Sequence, residues 1–131
     1  MQLLDHVSIS VRDLDAARIF YDAVMAALRC TKVYDRPGAL GYGVRCTATE
    51  PMHTFLAIYA SLDANLDGKR HWCFKAESQA QVQEFYAAAL ANGGTCDGPP
   101  GMRPQYHASY FAAFVHDPHG NRIEAVCHIA L

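Results

Sequence analysis

His6-Val7-Ser8-Ile9-Ser10-Val11 is followed by Phe20-Tyr21, and 65 positions later His71-Trp72-Cys73-Phe74-Lys75-Ala76 is followed by Phe85-Tyr86. The same shift carries Asp13 onto Ser78, Ala23 onto Ala88, Ala26 onto Ala91, and Ile58-Tyr59-Ala60 onto Ile123-Glu124-Ala125. Alanine matches are cheap in an alanine-rich chain, but His, Phe-Tyr and Ile-x-Ala falling in one register are not. The 131 residues therefore read as two copies of one unit, about 1–65 and about 66–131, inside a single domain 1–131.

Each copy opens with a strand of period two. Val7, Ile9 and Val11 alternate with His6, Ser8 and Ser10, and Trp72, Phe74 and Ala76 alternate with His71, Cys73 and Lys75. Each strand thus offers an apolar face to a helix and a polar face to something else. Asp13 caps the first helix, whose stripe is Leu14, Ala17, Tyr21, Val24 and Leu28. Ser78 and Gln81 form a capping box on the second, whose stripe is Val82, Phe85, Tyr86 and Ala89 and whose stop is Gly93-Gly94. Three short strands complete each copy, near 31–35, 39–47 and 53–60, then near 95–97, 109–116 and 121–128. Asp117-Pro118-His119-Gly120-Asn121 supplies the turn of the last hairpin. Asp97–Ala108, with three prolines, reads as a long loop and a candidate lid. The fold expected is α+β: two tandem βαβββ modules forming a cupped mixed sheet around a cavity.

Composition excludes several functions. With 11 basic and 13 acidic residues the formal net charge is −2, which gives no footprint for nucleic acid or an acidic membrane. Apolar runs such as Tyr110–Val115 are far short of the roughly 20 residues of a membrane helix. Met1–His6 lacks the pattern of a signal peptide, and the five cysteines contain no Cys-x-x-Cys, so a cytoplasmic protein with reduced thiols is expected. The oddity is seven histidines.

The alternation places most of them. If the polar faces of the two opening strands line a cavity, the repeat puts His6, His71, Tyr59 and Glu124 in it together. Two imidazoles and a carboxylate suit a divalent ion with positions left open for substrate. Spacing alone is no metal motif: a strand histidine is more often structural, and a glutamate beside Arg122 is also what a solvated edge carries. The coincidence of register is what favours the metal set.

The paired βαβββ units, the opening Leu4-Asp5-His6-Val7-Ser8-Ile9, the Phe-Tyr pair in each helix and the closing Asp-Pro-x-Gly-Asn-x-x-Glu resemble the vicinal oxygen chelate superfamily. That group includes glyoxalase I, bleomycin-resistance proteins, fosfomycin-resistance proteins, methylmalonyl-CoA epimerase and extradiol dioxygenases. The resemblance implies a divalent metal (Zn, Ni, Mn, Fe or Co) at the positions of His6, Tyr59, His71 and Glu124, with a substrate's vicinal oxygens brought to it. Glyoxalase I usually has a carboxylate where this chain has Tyr59, and a neutral phenol is a poor ligand. The chain is therefore similar to the three-ligand members, with His6, His71 and Glu124 on the metal and a glyoxalase-like lyase, isomerase or dioxygenase activity. The alternative is a metal-free binding protein like those of bleomycin resistance. The resemblance also implies a homodimer, for which Val33–Val44 or the sheet edges would serve.

The stretch Arg103-Pro104-Gln105-Tyr106-His107-Ala108-Ser109-Tyr110 supplies the remaining candidates. His107 is placed as an acid or base, with Tyr106 as a catalytic donor to a developing oxyanion. A histidine and aromatics that merely anchor a loop fit the sequence equally well. Tyr110, Arg103, Tyr59 and Ser8 are placed as substrate-binding residues, and Cys73 as cavity lining. His116, His119 and His128 are expected at exposed hairpin ends, and His53 fits either role.

Overall fold

The opening period-two segment forms β1 (His6–Val11), with Ile9 and Val11 buried and His6, Ser8 and Ser10 exposed. The computed structural model describes residues 3–129, so Met1-Gln2 and Ala130-Leu131 of the expected 1–131 domain lie outside the described residues. Asp13, in extended conformation, starts α1 (Leu14–Ala27): its Oδ1 accepts the Ala16 N–H at 3.0 Å. Arg29, at φ 58°, takes the left-handed position that ends the helix, and its guanidinium donates to the carbonyls of Ala26 and Ala27. β2 (Lys32–Arg36), β3 (Ala39–Gly43) and β4 (Phe55–Ala60) complete the first module, in sheet order β1-β4-β3-β2. β1 and β4 run parallel, a pairing that needs a crossover, and α1 provides it.

The second module repeats this with β5 (His71–Lys75), α2 (Gln79–Ala91), β6 (Thr95–Met102), β7 (Phe111–His116) and β8 (Arg122–Cys127), in sheet order β5-β8-β7-β6. Ser78 Oγ accepts the Gln81 N–H at 3.1 Å, and Gln81 Oε1 accepts the Glu77 N–H at 2.9 Å, so the capping pair reaches one residue further back than expected. A Cβ on Gly94 would lie 2.8 Å from the Ala89 carbonyl oxygen and 2.9 Å from that of His116, so only glycine lets the chain leave α2 there. The α+β fold of two βαβββ modules is thus what forms, each a four-stranded mixed sheet with its helix on one face.

Two elements differ from expectation. β3 stops at Gly43, whose φ of 114° turns the chain away before 47. The expected loop from Asp97 is strand as far as Met102 despite Pro99-Pro100. β6 lies at the sheet edge, where a proline forfeits no ladder bond on its open side, and register shifts at Gly98 and Gly101 absorb the misfit. Only 103–110 remains irregular, and the Arg103 N–H donating to the Tyr110 carbonyl at 2.7 Å closes its base.

The apolar faces form one core. Phe20, Tyr21, Val24, Val82 and Phe85 are fully buried with Leu40, Ile58, Val115 and Ile123, and α1 packs on α2. Each such side chain contributes roughly 1.5–3 kcal/mol, which commits the helix-facing sides to stability and leaves the polar faces for function. Asp117, also buried, joins the modules. Its Oδ1 accepts the N–H groups of His119, Gly120 and Asn121, and its Oδ2 accepts the Tyr21 hydroxyl at 2.6 Å and Asn121 Nδ2 at 2.9 Å. Asn121 Nδ2 also reaches the Ser10 carbonyl at 3.3 Å. No helix among the described residues is long and apolar enough to cross a membrane.

Candidate functional site

In the second module the polar face gathers around Glu124, which is 2% exposed. A buried carboxylate is costly unless its oxygens are satisfied. Here Oε1 lies 3.2 Å from His71 Nε2, and Oε2 accepts a short hydrogen bond from the Tyr110 hydroxyl. The register explains the meeting: β5 and β8 pair Cys73 with Glu124, and His71 stands one pleat along on the same face. Desolvation, then the Glu124 charge and its hydrogen bond, push the Cys73 thiol up to about 12. Burial and the bond to Glu124 likewise raise the Tyr110 phenol above its ordinary value.

The 103–110 loop packs further rings around Tyr110. His107 Nδ1 accepts the Ser109 N–H at 3.0 Å, which leaves its Nε2 to donate to His128 Nδ1 at 2.8 Å when the ring is neutral. Tyr110 meets both imidazoles edge-on, at 5.4 Å from His107 and 5.3 Å from His128, and Tyr106 packs on Tyr110 at 4.8 Å. Arg103 donates to the Pro99 carbonyl at 2.6 Å and lies 5.5 Å above the ring of Phe114, the β7 residue opposite Glu124. His128 is exposed as expected, and it also belongs to this cluster. The signal was its parity with Glu124 along the last strand. His119 departs from expectation, since its Nε2 is buried with no hydrogen-bond partner.

The first module presents a different surface. His6 Nδ1 is 2.7 Å from Asp5 Oδ2, and its ring stacks on Phe55 at 5.0 Å. The bond to His6, with the Cys46 thiol second, holds the Asp5 carboxyl below the usual range. Ser8 and Ser10 line a small cavity of about 210 Å³ together with Asp63, Asn65 and Arg70. Tyr59 is 46% exposed, and burial, then the neighbouring Tyr59 phenol, raise the Tyr34 phenol above its ordinary value. The constant shift of the sequence pairs Tyr59 with Glu124, but the hydrogen-bonded register does not. Ser8, the counterpart of Cys73, faces Ala57, so Ala57 is the structural counterpart of Glu124 and Tyr59 lies two residues beyond.

The structure therefore brings His71, Glu124, Tyr110 and Cys73 together, and His107, His128 and Tyr106 beside them. It keeps His6, Ser8 and Tyr59 on the other sheet. Among the described residues no group of three His, Cys, Asp or Glu side chains is placed to hold a metal ion. His71 and Glu124 are suitable donors for two positions, but one chain does not fit a three-ligand centre.

The family model for the Glyoxalase/Bleomycin resistance protein/Dioxygenase superfamily matches residues 3–125. Among solved structures, a glyoxalase/bleomycin resistance protein from Albidiferax ferrireducens T118 is 30% identical, with a TM-score of 0.77 over 96% of this chain and 98% of that one. A glyoxalase/bleomycin resistance protein/dioxygenase family enzyme from Burkholderia phytofirmans PsJN is 18% identical, with a TM-score of 0.69 over 95% of this chain and 98% of that one. Lactoylglutathione lyase from Agrobacterium tumefaciens is 21% identical, with a TM-score of 0.64 over 97% and 94%. These last two share the fold. No curated protein sequence matches.

Proposed function

Because the chain belongs to the glyoxalase/bleomycin resistance protein/dioxygenase superfamily, we propose that it is a divalent-metal-dependent enzyme acting on a small molecule with vicinal oxygens. Its metal would be held by His71 and Glu124 of one copy and His6 of a second copy in a homodimer. The observation that carries this reading is the His71–Glu124 pair, a buried carboxylate and an imidazole 3.2 Å apart on an open polar face. His6 occupies the equivalent place on the other sheet, half exposed, and lacks only a carboxylate-bearing partner strand. Zn, Ni, Mn, Fe and Co all accept such a donor set. Bound there, the ion supplies Lewis acidity toward adjacent oxygens.

The surrounding groups have roles consistent with this. Tyr110 orients Glu124 through its hydroxyl, and His107, paired with His128, is positioned to take or return a proton. Tyr106, Arg103, Tyr59 and Ser8 would contact the substrate. Metal analysis of protein never exposed to chelator tests the reading: wild type holds about one ion per copy, whereas His6→Ala and Glu124→Gln lose most of it. Equal metal content in all three proteins overturns it.

A second reading, a metal-free binding protein, has its own support. His6 is satisfied by Asp5 and Glu124 by His71 and Tyr110, so both faces close without an ion. Ligand binding unaffected by chelators in protein that never held metal would favour it.

A further inference from the structure

The linker that joins β4 to β5 is fixed at both ends. The Ser61 N–H donates to the Val11 carbonyl at 2.8 Å, the Ala64 N–H donates to the Ser61 carbonyl at 3.2 Å, and Ala64 is buried. Further along, Arg122 Nη1 donates to the Gly68 carbonyl at 2.8 Å, and a Cβ on Gly120 would lie 2.9 Å from Leu66. Between this linker and β1 lies the cavity of about 210 Å³ lined by Ser8, Ser10, Asp63, Asn65 and Arg70. At ~30 Å³ per molecule it has room for about seven waters. That is too little for a drug-sized ligand, whose pockets begin near ~300 Å³, and enough for a metabolite of a few heavy atoms.

The lining is polar and largely unpaired. Arg70 Nη2 donates to the Asn65 carbonyl at 2.9 Å, which anchors the guanidinium within the linker and leaves its other N–H groups free. Ser61 Oγ accepts the Asp63 backbone N–H at 3.2 Å. The Asp63 carboxylate and the Ser8 and Ser10 hydroxyls have no hydrogen-bond partner among the described residues, and neither Asp63 nor Arg70 forms a salt bridge there. Two opposite charges thus share one cavity without neutralising each other. In a space this small both act within the Debye length of about 8 Å, so a lone ion of either sign gains from one and loses to the other. A ligand that carries both charges gains from each.

We propose that this cavity binds a small amino acid as its zwitterion, with the carboxylate on Arg70 and the ammonium on Asp63. The Ser8 and Ser10 hydroxyls donate or accept as the ligand requires. His6 is not among the lining residues, so the site does not rest on the proposed metal centre. Ser8 is the one residue it shares with the proposed substrate contacts.

The test is an NMR titration of the full chain at about pH 6 with three ligands of nearly one shape. These are alanine, lactate, which has a hydroxyl in place of the ammonium, and alaninamide, which has an amide in place of the carboxylate. Alanine binds at least about tenfold more tightly than either, with shifts centred on Ser8, Asn65 and Arg70, and its advantage shrinks as salt rises. D63N brings the advantage over lactate below about twofold and keeps the advantage over alaninamide. R70Q does the reverse, and R70K retains part of what R70Q loses. Preferences lost one at a time do not come from misfolding, which removes both together. Equal binding of the three ligands, no saturation by alanine up to about 50 mM, or preferences that survive both substitutions overturns the proposal. Saturable alanine binding in protein that never held metal keeps this site independently of the metal reading. Metal bound by protein that ignores alanine keeps that reading and overturns this one.

Discussion

Glu124 has its two carboxylate oxygens committed in different directions, one to the His71 ring and one to the Tyr110 hydroxyl. Its charge also reaches Cys73, where it adds to desolvation in disfavouring the thiolate. The sign gives a prediction. With its thiol pushed up to about 12, Cys73 stays protonated at neutral pH although its side chain is exposed, so iodoacetamide modifies it slowly at pH 8. Removing the negative neighbour lowers the thiol's pKa and raises the thiolate fraction at any given pH. Glu124→Gln should therefore speed alkylation of Cys73 at least about threefold while leaving Cys96 unchanged, as site-resolved mass spectrometry reads it. At this scale the sequence was legible in part. Period two sorted His6, His71 and Glu124 onto polar faces, because a strand's side chains must alternate. It did not say which residue of β4 lies opposite which residue of β1, and so Tyr59 took the place that belongs to Ala57.

Between elements, the hairpin joining β7 to β8 shows what local signals determine and what they omit. Asp117 through Asn121 reads as a turn from proline, glycine and asparagine, and so it folds. Nothing local reveals that the Asp117 carboxylate also receives the Tyr21 hydroxyl from α1, 96 positions away. The same limit hid the length of β6, since an edge strand tolerates prolines that a central strand excludes. Asp117 thus carries a testable load. Asp117→Ala strands the Tyr21 hydroxyl in the core, takes one partner from the Asn121 amide and removes the oxygen that accepts three turn N–H groups, costing about 3 kcal/mol. Tyr21→Phe removes one hydroxyl and leaves the turn intact, costing about 1 kcal/mol. Urea melts followed by circular dichroism should rank the two in that order; equal losses would mean that the inter-module bond, and not the turn, accounts for the whole effect.

For the molecule as a whole, the question is how two half-sites meet. β1 and β5 each end their own sheet and share no ladder, α1 packs on α2, and His6 stands apart from His71 and Glu124. In the proposed homodimer, setting one copy's first module against the other's second would join the two polar faces twice over by symmetry. That arrangement predicts complementation. His6→Ala and Glu124→Gln each empty both sites of their own dimer. In a mixed dimer, one site takes His6 from the Glu124→Gln copy and Glu124 from the His6→Ala copy, and so is intact, while the other site carries both changes. Unfolding and refolding an equal mixture makes half of all dimers mixed, so metal content should return to about a quarter of wild type. A centre built within one chain gives no recovery, because every chain in the mixture lacks a ligand. A mixture that stays as empty as its parents, while wild type binds metal and runs as a dimer, would move the three ligands back into a single copy.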